Sequence, residues 1–483
     1  MTQRRDLRTL PGNDEGAIII FWALTLVVVL GIVALSFDFG QKAATQSELQ
    51  SYADQVALAA AGELDGKADA ITRATSAAAN LIIDQQTFAT GTRALAGNSN
   101  YALTFYRSLP ASDTASVAPG ITTDPALARY AQAQATPRSV PFTFTGAFDA
   151  LRGGTTANPT IGAVAVAGFT QFACDITPLM FCIPSPTFKA DANIGKMILL
   201  RSGGNGAAWG PGDFGFLDPS GMALDSAGPC AGMTGARRTR CLIGASGALT
   251  QCFSQRGVNT EPGQKVGIEN SAYNVRFDMY TGALSSKKTS ADYPPAPNVI
   301  KGIIPKGGGS CIGNTSNPSP NSAALPRDAC FAAGTCGRIG DGNWAAGRAT
   351  YVAKNYGTID PHPTAATRYK YYLAEIAAHG GGAASTPILT ARAETGRKQC
   401  SAFQSPDPER RVVIAAGIDC TANPIQGNTT GIPVNEFYRL FLTAPVGAGS
   451  GNSFDIYVEV VGSAETGSSG TGGIFHDVVQ LYR

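Results

Sequence analysis

The chain has 483 residues, of which 57 are glycine, 29 are proline and only 15% are charged. This length allows two or more domains, or one large β-rich domain with insertions, and the composition favours turns and short strands over long charged helices. The formal net charge is +2 and the only dense basic cluster, Arg237, Arg238 and Arg240, is short, so the sequence gives no indication of nucleic-acid binding.

The first predicted element is the apolar segment at residues 17–37, which contains no charged residue. As a helix rising about 1.5 Å per residue, it would span roughly 31 Å, close to the hydrocarbon thickness of a bilayer. A cleavable signal peptide has a shorter apolar region, of about 7 to 15 residues, and a buried core helix rarely lacks a polar face. We therefore predict a single transmembrane helix at residues 17–37.

The charges on either side of this segment predict its orientation. Arg4, Arg5 and Arg8 precede it, whereas Lys42 is the only basic residue soon after it. Basic residues are retained on the cytoplasmic side of a membrane. Residues 1–16 are therefore predicted to be a cytoplasmic tail, and everything after the segment is predicted to be extracytoplasmic.

Residues 38–90 are predicted to form an alanine-rich helical stalk above the membrane. Leu49, Val56 and Ala60 recur at helical spacing, and a second helix is expected at about residues 68–88. Residues 57–61 are so rich in alanine that another backbone could pack closely against them. Self-association through this stalk is left open.

Several features around the apolar segment form one pattern. An arginine-bearing tail, Glu15 and Gly16 precede it, and Asp38-Phe39-Gly40 and LQSYADQVALAAA follow it. Over residues 15–64 this pattern resembles the N-terminal segment of TadG-like proteins of bacterial Tad (Flp) pilus assembly. Later stretches are also similar to family members with a large periplasmic region; they begin at Ala165, Trp209, Ser271 and Thr367. The resemblance implies a structural protein of the inner membrane, with other Tad pilus assembly proteins as partners and a role in surface attachment.

Residues 100–483 are predicted to be a β-rich extracytoplasmic region, and whether it contains one domain or two subdomains is left open. Short alternating segments begin at Tyr101, Tyr130, Val140 and Ile161. Four more strands, beginning near residues 410, 435, 454 and 474, are expected to form or complete a mostly antiparallel sheet. One inserted helix is predicted at residues 366–379, and residues 301–330 are predicted to be a long surface loop.

All ten cysteines follow the apolar segment, and an even number on that side suits an oxidising compartment and up to five disulfides. Cys174 and Cys182 flank a turn that a local disulfide could close, although two buried thiols are the alternative. The cysteines of a glycine-rich segment, Cys230, Cys241 and Cys252, are expected to staple it. Cys311 is expected to pair with Cys330 or Cys336. The remaining connectivity is left open.

The sequence shows no recognisable catalytic, cofactor-binding or metal-binding residues, and no cofactor is predicted. There is no CxxC, GxSxG, HExxH or DxSxS motif, and His362, His379 and His476 each stand alone. The glycines of residues 203–215 lack the spacing of a nucleotide-binding loop and are expected to form turns around a buried Trp209 and Phe214. Two carboxylates on one strand, Asp455 and Glu459, are expected on a solvated sheet face.

These observations predict an α+β protein with one transmembrane helix, a helical stalk and a large disulfide-bearing, β-rich extracytoplasmic region. The function implied by the resemblance is a structural, membrane-anchored component of Tad pilus assembly without catalytic activity. One alternative is a minor pseudopilin processed between Gly16 and Ala17, although Phe21 stands where pilins carry a glutamate. The other is a membrane-anchored extracytoplasmic enzyme or sugar-binding protein.

Overall fold

The computed structural model describes residues 15–110, 120–151, 153–155, 157–174, 176–202, 209–218, 228–247, 252–254, 257–261, 266–307, 309–313, 315–379, 400–448, 454–464 and 475–482. The chain divides into a smaller unit, residues 1–170 with 477–483, and a larger unit, residues 171–476. The α-helices in the described residues are α1 Glu15–Ala61, α2 Ala70–Leu81, α3 Thr143–Leu151, α4 Gly235–Gly244, α5 Val266–Asn274, α6 Ala329–Ala333, α7 Ala345–Asn355 and α8 Arg368–Ala378. The corresponding strands are β1 Ile83–Gln85, β2 Ala94–Ala96, β3 Tyr101–Tyr106, β4 Tyr130–Ser139, β5 Thr160–Cys174, β6 Leu179–Cys182, β7 Met197–Ser202, β8 Asp213–Phe216, β9 Cys252–Ser254, β10 Ile303–Pro305, β11 Ser316–Pro318, β12 Val412–Ile418, β13 Glu436–Leu442, β14 Gly447–Ala448, β15 Phe454–Ser463 and β16 Phe475–Leu481.

Helix α1 runs without interruption from the apolar segment into the alanine-rich segment. Gly31 and Gly40 do not break it, and no atom outside the local helix backbone lies within 4 Å of a Cβ added at either. Up to Phe37 its apolar side chains are exposed, whereas from Leu49 onward one face is buried. The predicted membrane helix and the first predicted stalk helix are therefore one element.

The buried face of α1 packs on a sheet of the smaller unit whose strand order is β16-β5-β4-β3. The facing surfaces are both built largely from alanine: Ala53, Ala57, Ala60 and Ala61 of α1, Ala131, Ala133 and Ala135 of β4, and Ala163, Ala165 and Ala167 of β5. Strand alternation places every second residue on one face, so the strand alanines all point to the helix. Small side chains let the helix and the sheet backbones approach closely. The chain's own sheet thus occupies the alanine-rich face.

Two local predictions for the smaller unit are wrong. The segment beginning at Val140 was predicted to be a strand, but it forms α3. The second stalk helix is shorter than residues 68–88, because α2 ends at Leu81 and the β1–β2 hairpin follows. The predicted strands beginning at Tyr101, Tyr130 and Ile161 are confirmed as β3, β4 and β5.

The larger unit contains a sheet with the strand order β13-β12-β6-β8-β7-β15-β14, and β13 also pairs with β15. Six strands therefore form a closed ring, which leaves those strands without a free edge. The pairs β12–β6 and β7–β8 are parallel and the other described pairs are antiparallel. One apolar cluster takes residues from all six strands: Leu179, Phe181, Ile198, Leu200, Phe214, Phe216, Val413, Ala415, Tyr438, Leu440, Ile456, Val458 and Val460.

The predicted grouping of the C-terminal strands is only partly right. Strands β12, β13 and β15 lie in the ring, but β16 belongs to the sheet of the smaller unit that packs against α1. The four strands therefore do not form one antiparallel sheet. The predicted helix at residues 366–379 is confirmed as α8. The expected loop at residues 301–330 is not structureless, because β10 and β11 pair within it as an antiparallel hairpin.

All ten cysteines form disulfides, in the pairs Cys174–Cys252, Cys182–Cys420, Cys230–Cys241, Cys311–Cys400 and Cys330–Cys336. The predicted Cys174–Cys182 bond is wrong, because each of the two lies at a strand end beside a different, sequence-distant partner. The prediction that Cys311 pairs with Cys330 or Cys336 is also wrong. Those two cysteines, six residues apart, bond to each other across the short helix α6.

Candidate functional site

The N-terminal half of α1 is the main exposed apolar surface of the described chain. From Ile19 to Phe37 its large apolar side chains are about half to two-thirds exposed. The Thr25 hydroxyl donates to the carbonyl of Phe21 and the Ser36 hydroxyl to that of Ile32, each at 2.8 Å. Both hydroxyls are thus satisfied inside the helix, and neither presents an unpaired hydrogen-bonding group to lipid. Its length and a mean hydropathy of 2.7 meet the requirements of a membrane-spanning helix.

Directly after this surface, Asp38 connects α1 to α3. Its buried carboxylate accepts hydrogen bonds from the backbone N–H groups of Phe144, at 3.3 Å, and Thr145, at 2.7 Å. These N–H groups lie in the first turn of α3 and have no partner within that helix, and a negative charge there is favoured by the helix dipole. Burial alone would raise the pKa of Asp38, but the hydrogen bonds from Thr145 and Phe144 keep it below its usual value. Asp38 therefore acts as a charged cap on α3.

Aromatic contacts reinforce this junction. The rings of Phe37 and Phe144 lie 5.3 Å apart between centroids, and those of Phe39 and Phe142 lie 6.2 Å apart. Both contacts are edge-to-face, the arrangement that aromatic quadrupoles favour. The sequence pattern singled out Asp38 and Phe39 but not this contact, since the partners lie more than 100 positions later in a segment with strand-like alternation.

A second notable group is a buried ion network in the larger unit, formed by Arg368, Asp328 and Glu459. The side chains of all three are fully buried. The Arg368 guanidinium donates to both carboxylates, at 3.0 Å in the case of Glu459. Glu459 also accepts from the backbone N–H groups of Arg368 and Tyr369, at 3.0 and 2.8 Å, so it caps the start of α8. Complete pairing is what makes such a cluster tolerable inside a protein.

This network corrects one prediction. Glu459 and Asp455 were expected on a solvated face of their strand, but α8 covers Glu459. Asp455 is instead held by a two-pronged hydrogen bond from Arg201 on the neighbouring strand, at 2.7 and 2.9 Å. Neither carboxylate faces the other as a catalytic acid–base pair would. Each carboxylate is paired with an arginine of the fold, Glu459 with Arg368 and Asp455 with Arg201.

Glu375 of α8 is a further buried carboxylate. One of its oxygens accepts from the hydroxyls of Tyr351 and Tyr356, at 2.6 and 2.7 Å, and the other accepts from the Asn298 amide at 2.7 Å. Burial raises the pKa of Glu375, and these three hydrogen bonds and the nearby Arg411 counteract part of that rise. The group is enclosed by aromatic side chains, so its carboxylate is not presented to a ligand.

The other residues singled out in the sequence are the three histidines, Trp209 and Phe214. His362 packs against the rings of Tyr356 and Tyr371. Phe214 is buried as predicted, whereas Trp209 is only partly buried and packs against a different apolar cluster. His379 follows the end of α8, and the side chain of His476 lies outside the described residues, as do residues 203–208. Within the part of the chain that the structure describes, no group of three His, Cys, Asp or Glu residues could hold a metal ion.

A cleft of about 630 Å³ in the larger unit bears on the enzyme alternative. Among the described residues that line it, Lys301 is the single charged one and none is a carboxylate. Asn274, also in the lining, is engaged on both sides with the backbone of Val446, at 3.1 and 2.7 Å. The converging carboxylates expected of a glycosidase-like site do not occur in this cleft.

An exposed apolar helix that continues into disulfide-bonded folded units is typical of a single-span, membrane-anchored protein. Residues 16–63 match the family model described as "Putative Flp pilus-assembly TadE/G-like". This match confirms the resemblance of the N-terminal segment and supports a Tad-related structural role. It covers 48 of the 483 residues, almost all of them in α1. No curated protein and no solved structure matches the chain.

Proposed function

We propose that the protein is a structural, inner-membrane-anchored component of Tad (Flp) pilus assembly with no catalytic activity of its own. The observation that carries this proposal is the coincidence of the TadE/G-like segment with α1. One half of this helix exposes an apolar surface long enough to span a bilayer, and the other half is built into a folded unit. Such a helix couples a membrane position rigidly to an extracytoplasmic structure.

The proposed division along the chain is a cytoplasmic tail at 1–16, a span at 17–37, a TadG-like segment at 38–90 and an extracytoplasmic region at 100–483. The arginines of the tail support an N-terminus in the cytoplasm. The five disulfides after the span support a periplasmic location for the rest, because cytoplasmic thiols are kept reduced. Its partners would be the inner membrane and other Tad pilus assembly proteins.

A processed minor pseudopilin is the second candidate. The Gly16–Ala17 bond ahead of the apolar run favours it. Two features count against it: Phe21 replaces the glutamate of pilins, and a larger unit of roughly 300 residues would be difficult to pack into a thin helical fibre. We therefore propose that residues 1–16 remain attached and that the chain stays in the inner membrane.

Crosslinking in intact membranes tests the assembly role. The tagged full-length chain is crosslinked in cells that carry the Tad system, purified, and analysed by mass spectrometry and N-terminal sequencing. We expect capture of Tad assembly proteins on a chain that retains its first residues. Cells that lack the other Tad genes serve as the control. Capture no better than this control would contradict the assembly role, and a chain beginning at Ala17 in sheared pili would favour the pseudopilin.

A further inference from the structure

Four phenylalanines surround the point where the apolar half of α1 ends. This aromatic collar consists of Phe37 and Phe39 of α1, Phe142 just before α3 and Phe144 in its first turn. Phe37, Phe39 and Phe144 are 50, 51 and 46% exposed, although they contact each other or Phe142 as two edge-to-face pairs. The collar is thus an ordered apolar surface that the described chain leaves half uncovered.

The position of the collar indicates what covers it. Phe37 is the last residue of the 21-residue apolar segment, so the collar continues the surface that faces lipid. A helix of 21 residues is about as long as the hydrocarbon core is thick, which puts the collar at the boundary between acyl chains and headgroups. Phenylalanine is among the side chains that interfacial helices bury at the boundary between headgroups and acyl chains. Lys42, exposed one turn further along, would lie at the level of the lipid phosphates.

The exposed side of α3 suits the same environment. Thr143, Phe144, Ala147 and Ala150 are exposed and lie on one side of the helix at helical spacing, and none is charged. Asp38 lies close by, but its carboxylate is buried and bonded to the amides of α3. Asp38 therefore presents no bare carboxylate to the membrane, which would be costly at this depth.

We propose that α3 lies in the interface of the bilayer leaflet next to the folded part of the chain, with Phe37, Phe39 and Phe144 between lipid headgroups and acyl chains. The smaller unit is then held to the membrane at two places, the span and α3, and its tilt relative to the bilayer is restricted. This inference rests on the proposed membrane-spanning role of α1. In this proposal lipid covers the collar. Coverage by another protein would be a different outcome of the test.

Spin labels on single introduced cysteines test the proposal in the full-length chain, whose own cysteines are paired in disulfides. The chain is reconstituted in liposomes of phosphatidylethanolamine and phosphatidylglycerol. Labels are placed at Ala147→Cys on α3, at Ile83→Cys as an exposed control on the same unit, and at Val27→Cys inside the span. Collision rates with oxygen, which concentrates in lipid, and with a water-soluble nickel complex report the depth of each label.

We expect the oxygen-to-nickel ratio at position 147 to be several-fold higher than at position 83 and lower than at position 27. Adding Phe144→Asp should reduce the ratio at position 147 and leave the one at position 27 unchanged. A label at 147 as accessible to nickel as the one at 83 would overturn the proposal. Protection from both reagents would also overturn it in favour of a protein contact. A water-exposed label at 27 would overturn the anchor itself, so the two failures are distinguishable.

Discussion

Arg368 is a fully buried cation, and each nitrogen of its guanidinium has a hydrogen-bond acceptor. Besides the two carboxylates, its guanidinium reaches the carbonyls of Pro326 and Gly195. Asp328 in turn accepts from the backbone N–H groups of Met197 and Gly342, at 3.1 and 2.8 Å. The network therefore joins β7, β15 and the start of α8. Burying these charges costs several kcal/mol per ion, so its main effect is to specify one arrangement of these elements.

Removing the arginine from this network is expected to be strongly destabilising. Arg368→Leu leaves Asp328 and Glu459 buried without a cation, and we predict a loss of about 3–5 kcal/mol in the free energy of unfolding. Arg201→Leu is the matched control, because it breaks the more solvent-exposed bridge to Asp455 and should cost about 1 kcal/mol or less. Denaturant unfolding of the purified chains measures both values. Equal losses in the two variants would contradict the buried network.

The Glu375 carboxylate predicts a pH dependence with a definite sign. Its pKa in the folded protein is raised above the ordinary value of 4.5, so its contribution to stability is fully present below pH 4.5 and is lost as the pH rises through the folded pKa. Glu375→Gln removes this titration. The stability of the parent relative to this variant should therefore fall as the pH rises above 4.5, measured by unfolding at each pH.

Tyr356→Phe supplies a second arm to this experiment. The Tyr356 hydroxyl donates to the Glu375 carboxylate and lowers its pKa, so its removal should extend the decline to higher pH. A parent-to-Gln difference that stays flat with pH, or that grows, would contradict the assignment of Glu375 as a group with a raised pKa.

At the scale of elements, the sequence predicts what depends on local pattern. The alanine-rich face of α1, helix α8 and strands β3 to β5 all have clear periodicity, and the apolar segment is long and uniformly apolar; the structure confirms a helix or strand at each. The alternation of Phe142 and Phe144 misleads in α3, because the local preference for a strand is outweighed by the capping carboxylate of Asp38. That partner comes from a distant part of the chain. No local signal at residues 140–151 indicates it.

The disulfides show the same limit, since pairing depends on which strand ends become neighbours. Cys182 and Cys420 are 238 positions apart and come together because β6 and β12 pair in parallel. Spacing alone favoured Cys174 as the partner of Cys182. Only the pairs Cys230–Cys241 and Cys330–Cys336 are local enough for the sequence to suggest them.

These two classes of disulfide predict different losses of stability. Replacing Cys182 and Cys420 together by alanine opens the longest loop, and we expect a loss of about 2–5 kcal/mol. The double variant Cys330→Ala, Cys336→Ala is the control, because a separation of six constrains the unfolded chain less and should give a smaller loss. Thermal unfolding under non-reducing conditions compares the two. A larger loss for the short loop would contradict the expected order.

At the scale of the whole molecule, the closed ring of the larger unit is the feature least accessible to sequence reasoning. Strand β6 is buried at all four positions, and β7 at its first four, so neither shows the alternation that identifies a strand with one solvated face. The ring also depends on the parallel pair β6–β12, whose strands lie far apart in sequence. The sequence therefore predicts a β-rich region but not its closure.

The anchor and the family segment, by contrast, are both visible in the first 64 residues. The larger unit contains the closed ring and all five disulfides. Its described cleft presents no group of catalytic carboxylates. The proposed part in pilus assembly requires one topology. The N-terminal tail lies in the cytoplasm, and the two folded units lie on the other side of the membrane.

Cysteine labelling of the two ends of this arrangement tests the central claim most directly. Thr2→Cys places a thiol in the tail, and Ile359→Cys places one at a position that is 76% exposed in the larger unit. The parent chain is the control, because its cysteines are paired. With a membrane-impermeant maleimide added to spheroplasts, we predict labelling at position 359 at once, labelling at position 2 only after lysis, and none in the parent. Labelling at position 2 before lysis, with position 359 protected, would contradict an anchored protein with its folded units outside the cytoplasm.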